Sequence, residues 1–496
     1  MKVCDPMKKI IVIGAGAGGL AAAMILSARG YEVEVFERDG HIGGRARTLD
    51  LDGHRFDVGA TFLTGDAPIK AVFAAAGEVL ENHVTLQPID PLYEFIFKDG
   101  NLKPTTDQTL MRKELERAFP RHVVDYFDFI DRQKAKFQAL APLSRTTFHT
   151  PLNYLRLSVL KTWWHKDSRQ SVFKRLNRMF ADETFAHIMS FQTKYLGMSP
   201  HEAPAYYTFL SYLEFANGLY RVKGGLGNLF EAMRKVIEIY GGKVHLKTPV
   251  KRLLIHDRHV HGIVLEDDSY RSADIVINSA DFGHFIKQLV PPKHQRKYKT
   301  KIIDAQDRSL SAFVMYLGLD KTYNLEPHTL ILADNMDEYY RVLMKEHQIP
   351  DHFTVYIHNP SAIDSSLTDE PNHSSLYILL SVPNTTHPID WEKATPALRE
   401  AVFKRIKERT HLHDLQKHIV VEKTLTPIDW ERDFALEKGA VFGLSHTRNQ
   451  TLYRRPHNRF NDIKNVYLVG SDTHPGSSIM QVFQSALLTT RLITKN

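Results

Sequence analysis

Residues 8–37 read KKIIVIGAGAGGLAAAMILSARGYEVEVFE. Lys8–Ile13 is a short apolar run and predicts a buried strand. Gly14-Ala15-Gly16-Ala17-Gly18-Gly19 follows at once, and Leu20–Arg29 predicts a helix that Gly30 stops. Tyr31–Phe36 alternates as a second strand does, with Glu37 at its end. Strand, G-x-G-x-x-G, helix, strand and acid come in the order a dinucleotide site needs. Gly14 permits the tight turn, Gly16 lets the backbone approach a pyrophosphate, and Gly19 lets the helix lie close to the strand. The helix N-terminus holds the phosphate charge, and Glu37, followed by Arg38, can accept the ribose hydroxyls.

The residues after this unit favour FAD over NAD. His41-Ile42-Gly43-Gly44-Arg45-Ala46-Arg47-Thr48 places a second glycine pair and two arginines just past the acid. Mobile backbone and guanidinium groups suit the diphosphate and ring end of the larger cofactor. Phe56-Asp57-Val58-Gly59-Ala60-Thr61 adds a further glycine turn.

Together these stretches resemble the flavin amine oxidase superfamily. Phe56–Thr61 is similar to the FDxGPT stretch of bacterial phytoene desaturases, with Ala60 at the proline position. Gly241–Val250 resembles the second FAD-contacting stretch, which implies Val250 against the adenosine. Thr426–Trp430, Gly439–Leu444 and Arg455-Pro456 look like further landmarks. Val466–Val469 predicts a strand, followed by Gly470-Ser471-Asp472-Thr473-His474-Pro475-Gly476 and a helix from about Val482. Thr473–Gly476 resembles the carotenoid-desaturase form of the closing turn. Ser478-Ile479-Met480 departs from the family's G-[IV]-P and implies Met480 near the flavin.

The resemblance implies an α/β protein. A discontinuous Rossmann-like FAD-binding domain would occupy residues 8–90, 221–300 and 441–496. A helical, membrane-facing lid region would occupy 91–220, and a mixed α+β substrate domain 301–440. The implied cofactor-binding residues are Gly14, Gly16, Ala17, Gly19, Glu37, Arg38, Gly44, Arg45, Val250, Gly470, Asp472 and Met480. Cys4, the one cysteine, lies before the first strand, so the FAD is expected to be non-covalent.

The implied activity is desaturation of a linear C30 or C40 carotenoid precursor, 4,4'-diapophytoene (dehydrosqualene) or phytoene. No side chain accepts hydride from an unactivated allylic C–H bond, so a flavin must carry the redox step. Reoxidation is assigned to a quinone or oxygen. Two relatives of similar fold compete. A C30 terminal-methyl oxidase often carries Asn-Pro-Gly where this chain has His474-Pro475-Gly476, which favours the desaturase. A lipid-escort protein of the GDP-dissociation-inhibitor type shares the fold without redox chemistry, but Glu37, Gly43-Gly44-Arg45 and the Thr473–Gly476 turn argue for flavin. A plain amine oxidase ranks below both enzymes. No acid–base pair is evident, and His474 is a weak catalytic candidate. The sets His256/His259/His261 and His411/His413/His418 lack carboxylates at helix spacing, so no metal is expected.

The chain has 496 residues, 43% hydrophobic and 24% charged, which excludes a mainly disordered state and favours several domains. One cysteine excludes a disulfide framework within the chain and fits a reducing, cytoplasmic compartment. No run of about 18 apolar residues predicts a transmembrane helix. The net charge of +7 is uneven. Residues 151–180 hold seven Lys/Arg against Asp167 alone, and 286–301 hold six with no acid. With a lipid-soluble substrate implied, an anionic membrane surface fits these patches better than nucleic acid. Pro151–Trp164 is read as a surface helix with Leu152, Leu155, Val159 and Trp163 on one face and Trp163-Trp164 at headgroup depth.

Overall fold

The computed structural model describes residues 8–148, 150–160 and 170–495. A five-stranded parallel sheet forms the base of the cofactor half. Its order is Lys243–His245, Glu32–Phe36, Lys9–Ile13, Ile275–Asn278, Val466–Leu468. The central strand pairs in parallel with both neighbours, Ile10 opposite Val33 on one side and Ile275 on the other. The chain therefore winds outward in two directions from Lys9–Ile13, and a crevice opens beyond the carboxyl ends of the strands.

Strand alternation explains why both faces are covered. Ile10, Val12, Val33, Val35 and Ile277 point to a helical layer, while Ile11, Ile13, Phe36, Val276 and Leu468 point the other way. The helical layer holds Ala17–Ala28, Leu226–Ile239 and Ile479–Thr494. Ala17–Ala28 is buried from Gly18 to Ser27, as a helix enclosed between a sheet and other helices must be. The opposite face carries the antiparallel sheet Val250–His256, His259–Leu265 and Tyr270–Ser272.

The second half is a seven-stranded sheet in the order Ile419–Leu425, Ser311–Leu319, Ser374–Val382, Val355–His358, His328–Ile331, Glu94–Phe97, Gly100–Leu102. One face packs on the helix Trp391–Arg409 through Val402, Phe403 and Ile406. The other turns Val314, Tyr316, Tyr356 and Tyr377 toward the cofactor half and a group of helices. Those helices are Gln108–Ala118, Val123–Arg145, Val172–Phe180, Glu183–Ser190 and Phe209–Asn217.

Three expectations need correction. The region 91–220, expected to be helical, opens with the strands Glu94–Phe97 and Gly100–Leu102, and Leu86–Ile89 precedes them. The alternation Tyr93, Phe95, Phe97 and the turn before Gly100 carry the hairpin, whose first strand pairs with His328–Ile331 and leaves Gly100–Leu102 at the sheet edge. The closing helix begins at Ile479 rather than about Val482, because the Ser478 hydroxyl accepts the Gln481 N–H and caps it. Pro151–Trp164 is not one helix. Pro151–Leu155 is a 3-10 turn, Arg156 is extended, and Leu157–Leu160 is a separate short turn of helix. Val159 is buried while Leu152 and Leu155 are 70% and 65% exposed, so they do not share a face. Trp163 and Trp164 lie outside the described residues, as does Cys4.

Candidate functional site

A cavity of about 970 Å³ runs from the glycine loop at Gly14 to Tyr356 and Tyr377 in the seven-stranded sheet. At its inner end, Gly14 N–H donates to Phe36 O and Gly43 N–H to Ala15 O, both at 2.8 Å, so the two glycine turns brace each other. Gly43 has φ +98°, and a Cβ there would meet the Phe230 ring at 2.7 Å. Gly19 stands behind the wall, where a Cβ would lie 2.2 Å from Gly14 O; this is the close helix–strand approach its spacing predicts. Gly16 differs, because its Cβ would have nothing nearer than Ser279 Oγ at 3.9 Å. The helix it precedes has no side-chain cap and no acid in its first turn, which leaves the first N–H groups for an anion. Glu37 takes Ala15 N–H on one oxygen at 2.8 Å and Asp39 N–H on the other at 2.9 Å. A carboxylate so held keeps further lone pairs for ribose hydroxyls. A pyrophosphate and an adenosine ribose fit these donors and acceptors.

The middle of the cavity is a buried charge network. Arg45 donates to Val441 O at 2.5 Å and Ser471 Oγ at 2.6 Å, and so ties the second glycine pair to the closing turn. Asp472 accepts Leu444 N–H at 2.7 Å and Phe282 N–H at 3.2 Å, with Arg308 Nη1 at 3.3 Å. Burial works to raise Asp472, but Arg308 and Arg455 beside it hold it below the usual carboxylate range. Asp281 lies 3.9 Å from the same guanidinium, and burial with the Asp472 charge pushes it up to about 7. Arg455, fully buried, donates to Ser471 O at 2.7 Å and to Leu444 O at 3.2 Å. This bracing shapes the turn that the closing helix follows.

The far end is an aromatic chamber with a polar cluster. Thr61, Phe62, Lys194, Tyr195, Tyr356 and Tyr377 line it. Tyr356 OH lies 2.7 Å from Thr61 Oγ1 and 2.7 Å from His328 Nδ1, and Tyr195 OH lies 3.1 Å from Tyr93 OH. The Lys194 ammonium sits 3.5 Å from the Phe191 ring centre and 5.0 Å from those of Tyr195 and Tyr356. Burial pulls Lys194 down to about 7, against the pull of Glu214. Glu214 is raised by burial, with Lys194 opposing, and accepts from Gln192 Nε2 at 3.0 Å. Lys194 can therefore hold or release a proton near pH 7.

Gly14, Gly16, Ala17, Glu37, Arg38, Gly44, Arg45, Val250, Gly470, Asp472 and Met480 all line the cavity. His474 does not; its Nε2 lies 3.1 Å from Leu143 O and its ring packs edge-on against Phe148 at 5.3 Å. The cavity residues that sequence reasoning misses are Lys194, Tyr195, Tyr356, Tyr377 and Asp281. The Asp281 signal was present, since it follows the strand Ile275–Asn278 at its carboxyl end. The others stand in no motif. Among the described residues, His187, His201 and Asp337 converge instead of the two histidine sets singled out above. His418 meets Asp320 and Asp414, and the His256 and His261 rings lie 6.2 Å apart.

Residues 17–494 match the flavin containing amine oxidoreductase family. The chain is 37% identical to a 4,4'-diapophytoene desaturase (4,4'-diapolycopene-forming) of Methylomonas sp, over 98% of this chain and 95% of that one. It is 31% identical to a phytoene desaturase (lycopene-forming) of Pseudescherichia vulneris, over 99% and 100%. Among solved structures, an oxidoreductase from Methanosarcina mazei superposes with a TM-score of 0.64 at 17% identity, covering 98% of this chain and 100% of that one. A putrescine oxidase superposes at 0.62 with 14% identity, covering 99% and 98%. With the glycine loops, Glu37 and the closing turn all facing one cavity, this chain belongs to the flavin-containing amine oxidoreductase family.

Proposed function

We propose that this protein is an FAD-dependent desaturase that introduces double bonds into a linear C30 or C40 carotenoid precursor, 4,4'-diapophytoene or phytoene. The observation that carries the reading is one continuous cavity that joins the glycine loops to an aromatic chamber holding an ionisable amine. When bound, FAD accepts one hydride for each double bond formed. The chain's own residues supply the rest. Phe62, Tyr195, Tyr356 and Leu379 offer an apolar bed for a polyene, and Lys194, in its neutral form, takes the proton lost from the neighbouring carbon. Glu214 keeps that proton within the cluster. An escort protein has no use for a buried base at the end of a flavin cavity. The desaturases among the relatives favour CH–CH chemistry over terminal-methyl oxidation.

FAD is held without a covalent bond in this reading, because Cys4, the one cysteine, precedes the first strand in sequence. A quinone or oxygen takes the electrons afterwards. The substrate enters from a membrane surface. No helix among the described residues is long and apolar enough to cross a membrane. Leu152, Leu155 and Leu157 are exposed. Tyr154 OH reaches Tyr453 N at 3.4 Å, and Lys297 Nζ lies 5.5 Å from the Tyr453 ring, so the leucines and the 286–301 basic patch adjoin. Apolar anchors beside cations suit anionic lipid. Anaerobic mixing with precursor in detergent tests the redox reading. The absorbance near ~450 nm should bleach in proportion to double bonds formed. Precursor bound without bleaching would sink it.

A further inference from the structure

His187, His201 and Asp337 come from three separate parts of the chain. His187 lies in the helix Glu183–Ser190, His201 in the turn after Ser199, and Asp337 in the first turn of Met336–Arg341. One donor atom from each lies within 4.8 Å of the other two. His187 Nε2 is 3.2 Å and His201 Nε2 3.3 Å from the same oxygen, Asp337 Oδ1. Metal–ligand bonds of about 2.0–2.1 Å around a tetrahedral ion set the donors roughly 3.3 Å apart. Two edges of the triangle already have that length.

The details favour an ion over a hydrogen-bonded trio. In such a trio both imidazoles would donate N–H to the carboxylate. Here only His187 makes that bond, and the buried His201 Nε2 makes no hydrogen bond to any group. The rings are also held in place. Phe173 stacks on His187 at 4.3 Å and lies 4.4 Å from His201, while Tyr340 covers them from 6.0 and 5.6 Å. Fixed rings lower the entropy cost of ligation. The side-chain exposures of 5%, 30% and 56% for His187, His201 and Asp337 leave one side open to solvent, where water completes the shell.

We infer that His187, His201 and Asp337 form a site for a divalent transition-metal ion of the zinc class. Two imidazoles and one carboxylate suit zinc better than calcium or magnesium, which take oxygen donors. None of the three residues lines the flavin cavity, so the ion does not take part in the redox step. It joins a helix of the lid region to a helix beside the seven-stranded sheet, and so stitches the two walls of the substrate half.

The test uses the untagged flavoprotein, stripped with EDTA and titrated with zinc alone against a chromophoric chelator. Wild type should bind one zinc per chain, and cobalt in its place should give the intense visible bands of a four-coordinate ion. Asp337→Asn and His201→Gln should weaken zinc at least tenfold, with flavin content and circular dichroism unchanged. The thermal midpoint should rise with zinc in wild type and stay fixed in the variants. No stoichiometric binding by wild type, or equal binding by Asp337→Asn, would overturn the assignment and leave a hydrogen-bonded cluster.

Discussion

Lys194 stands in the run Phe191–Leu196, which matches no motif and has no periodicity that marks it; its role comes from three aromatic rings and Glu214 closing around it. Replacing it with Met keeps the volume and removes the amine. We expect the rate of flavin reduction to fall by about 10²–10⁴-fold, the usual worth of a positioned base, with FAD still bound. The sign of the pH effect follows from burial, which brings Lys194 down to about 7. With the neutral amine as the proposed base, the wild-type rate should rise as pH increases through about 7 and fall below it. A stopped-flow pH profile of flavin reduction checks this, and an unchanged profile in Lys194→Met would remove the role. His474 gives the contrast. Burial and Arg455 pull it down to about 3, so it stays neutral across the working range and His474→Gln should leave that profile alone. Glu37 was legible because its position is set by local spacing. Its two bonds to backbone N–H groups show why a carboxylate is needed. Glu37→Gln loses one acceptor and the charge, so FAD should bind about 1.5–3 kcal/mol more weakly by fluorescence titration.

At the level of elements, local sequence was a good guide wherever one strand or helix carried its own signal. Lys9–Ile13, Ala17–Ala28 and Glu32–Phe36 each start and stop within a few residues of where apolar runs and glycines place them. It failed where pairing partners are remote. Glu94–Phe97 is too short to stand out, and it is a strand because His328–Ile331, more than two hundred residues on, accepts it at the sheet edge. The turns between Pro151 and Leu160 failed for a different reason. Helical spacing of leucines predicted one amphipathic helix, but the extended Arg156 divides it and sends Val159 inward. The exposed leucines remain, and they carry a prediction at this scale. Exchanging Leu152, Leu155 and Leu157 for Ser should weaken co-sedimentation with anionic liposomes by tenfold or more at low salt. Raising salt should weaken wild type as well, since each cation near the surface contributes about 1 kcal/mol. Equal binding by the triple variant would remove these turns from the membrane-facing surface.

Across the whole molecule, the cavity is built by parts of the chain far apart in sequence. Gly14 and Glu37 come from the first fifty residues, Val250 and Asp281 from the middle, and Asp472 and Met480 from the last. The inner end of the cavity was therefore legible from separated stretches of sequence. The chamber at its far end was not, because the side chains that form it meet only when the seven-stranded sheet packs on the helices between residues 108 and 217. A ligand that bridges such segments stabilises the fold by mass action, so FAD at about 100 times its Kd should add about 2.7 kcal/mol. Scanning calorimetry of apo and FAD-loaded protein should show that as a higher Tm. The most direct test incubates the FAD-loaded protein, in air and with a soluble quinone as electron acceptor, with purified 4,4'-diapophytoene and, separately, phytoene, then records the spectrum and mass of the extracted product. A coloured product is expected, its absorption maximum moved to longer wavelength, with two hydrogens lost per added double bond and no oxygen gained. A product that keeps the precursor's mass, or gains oxygen as an aldehyde, would contradict the desaturase reading.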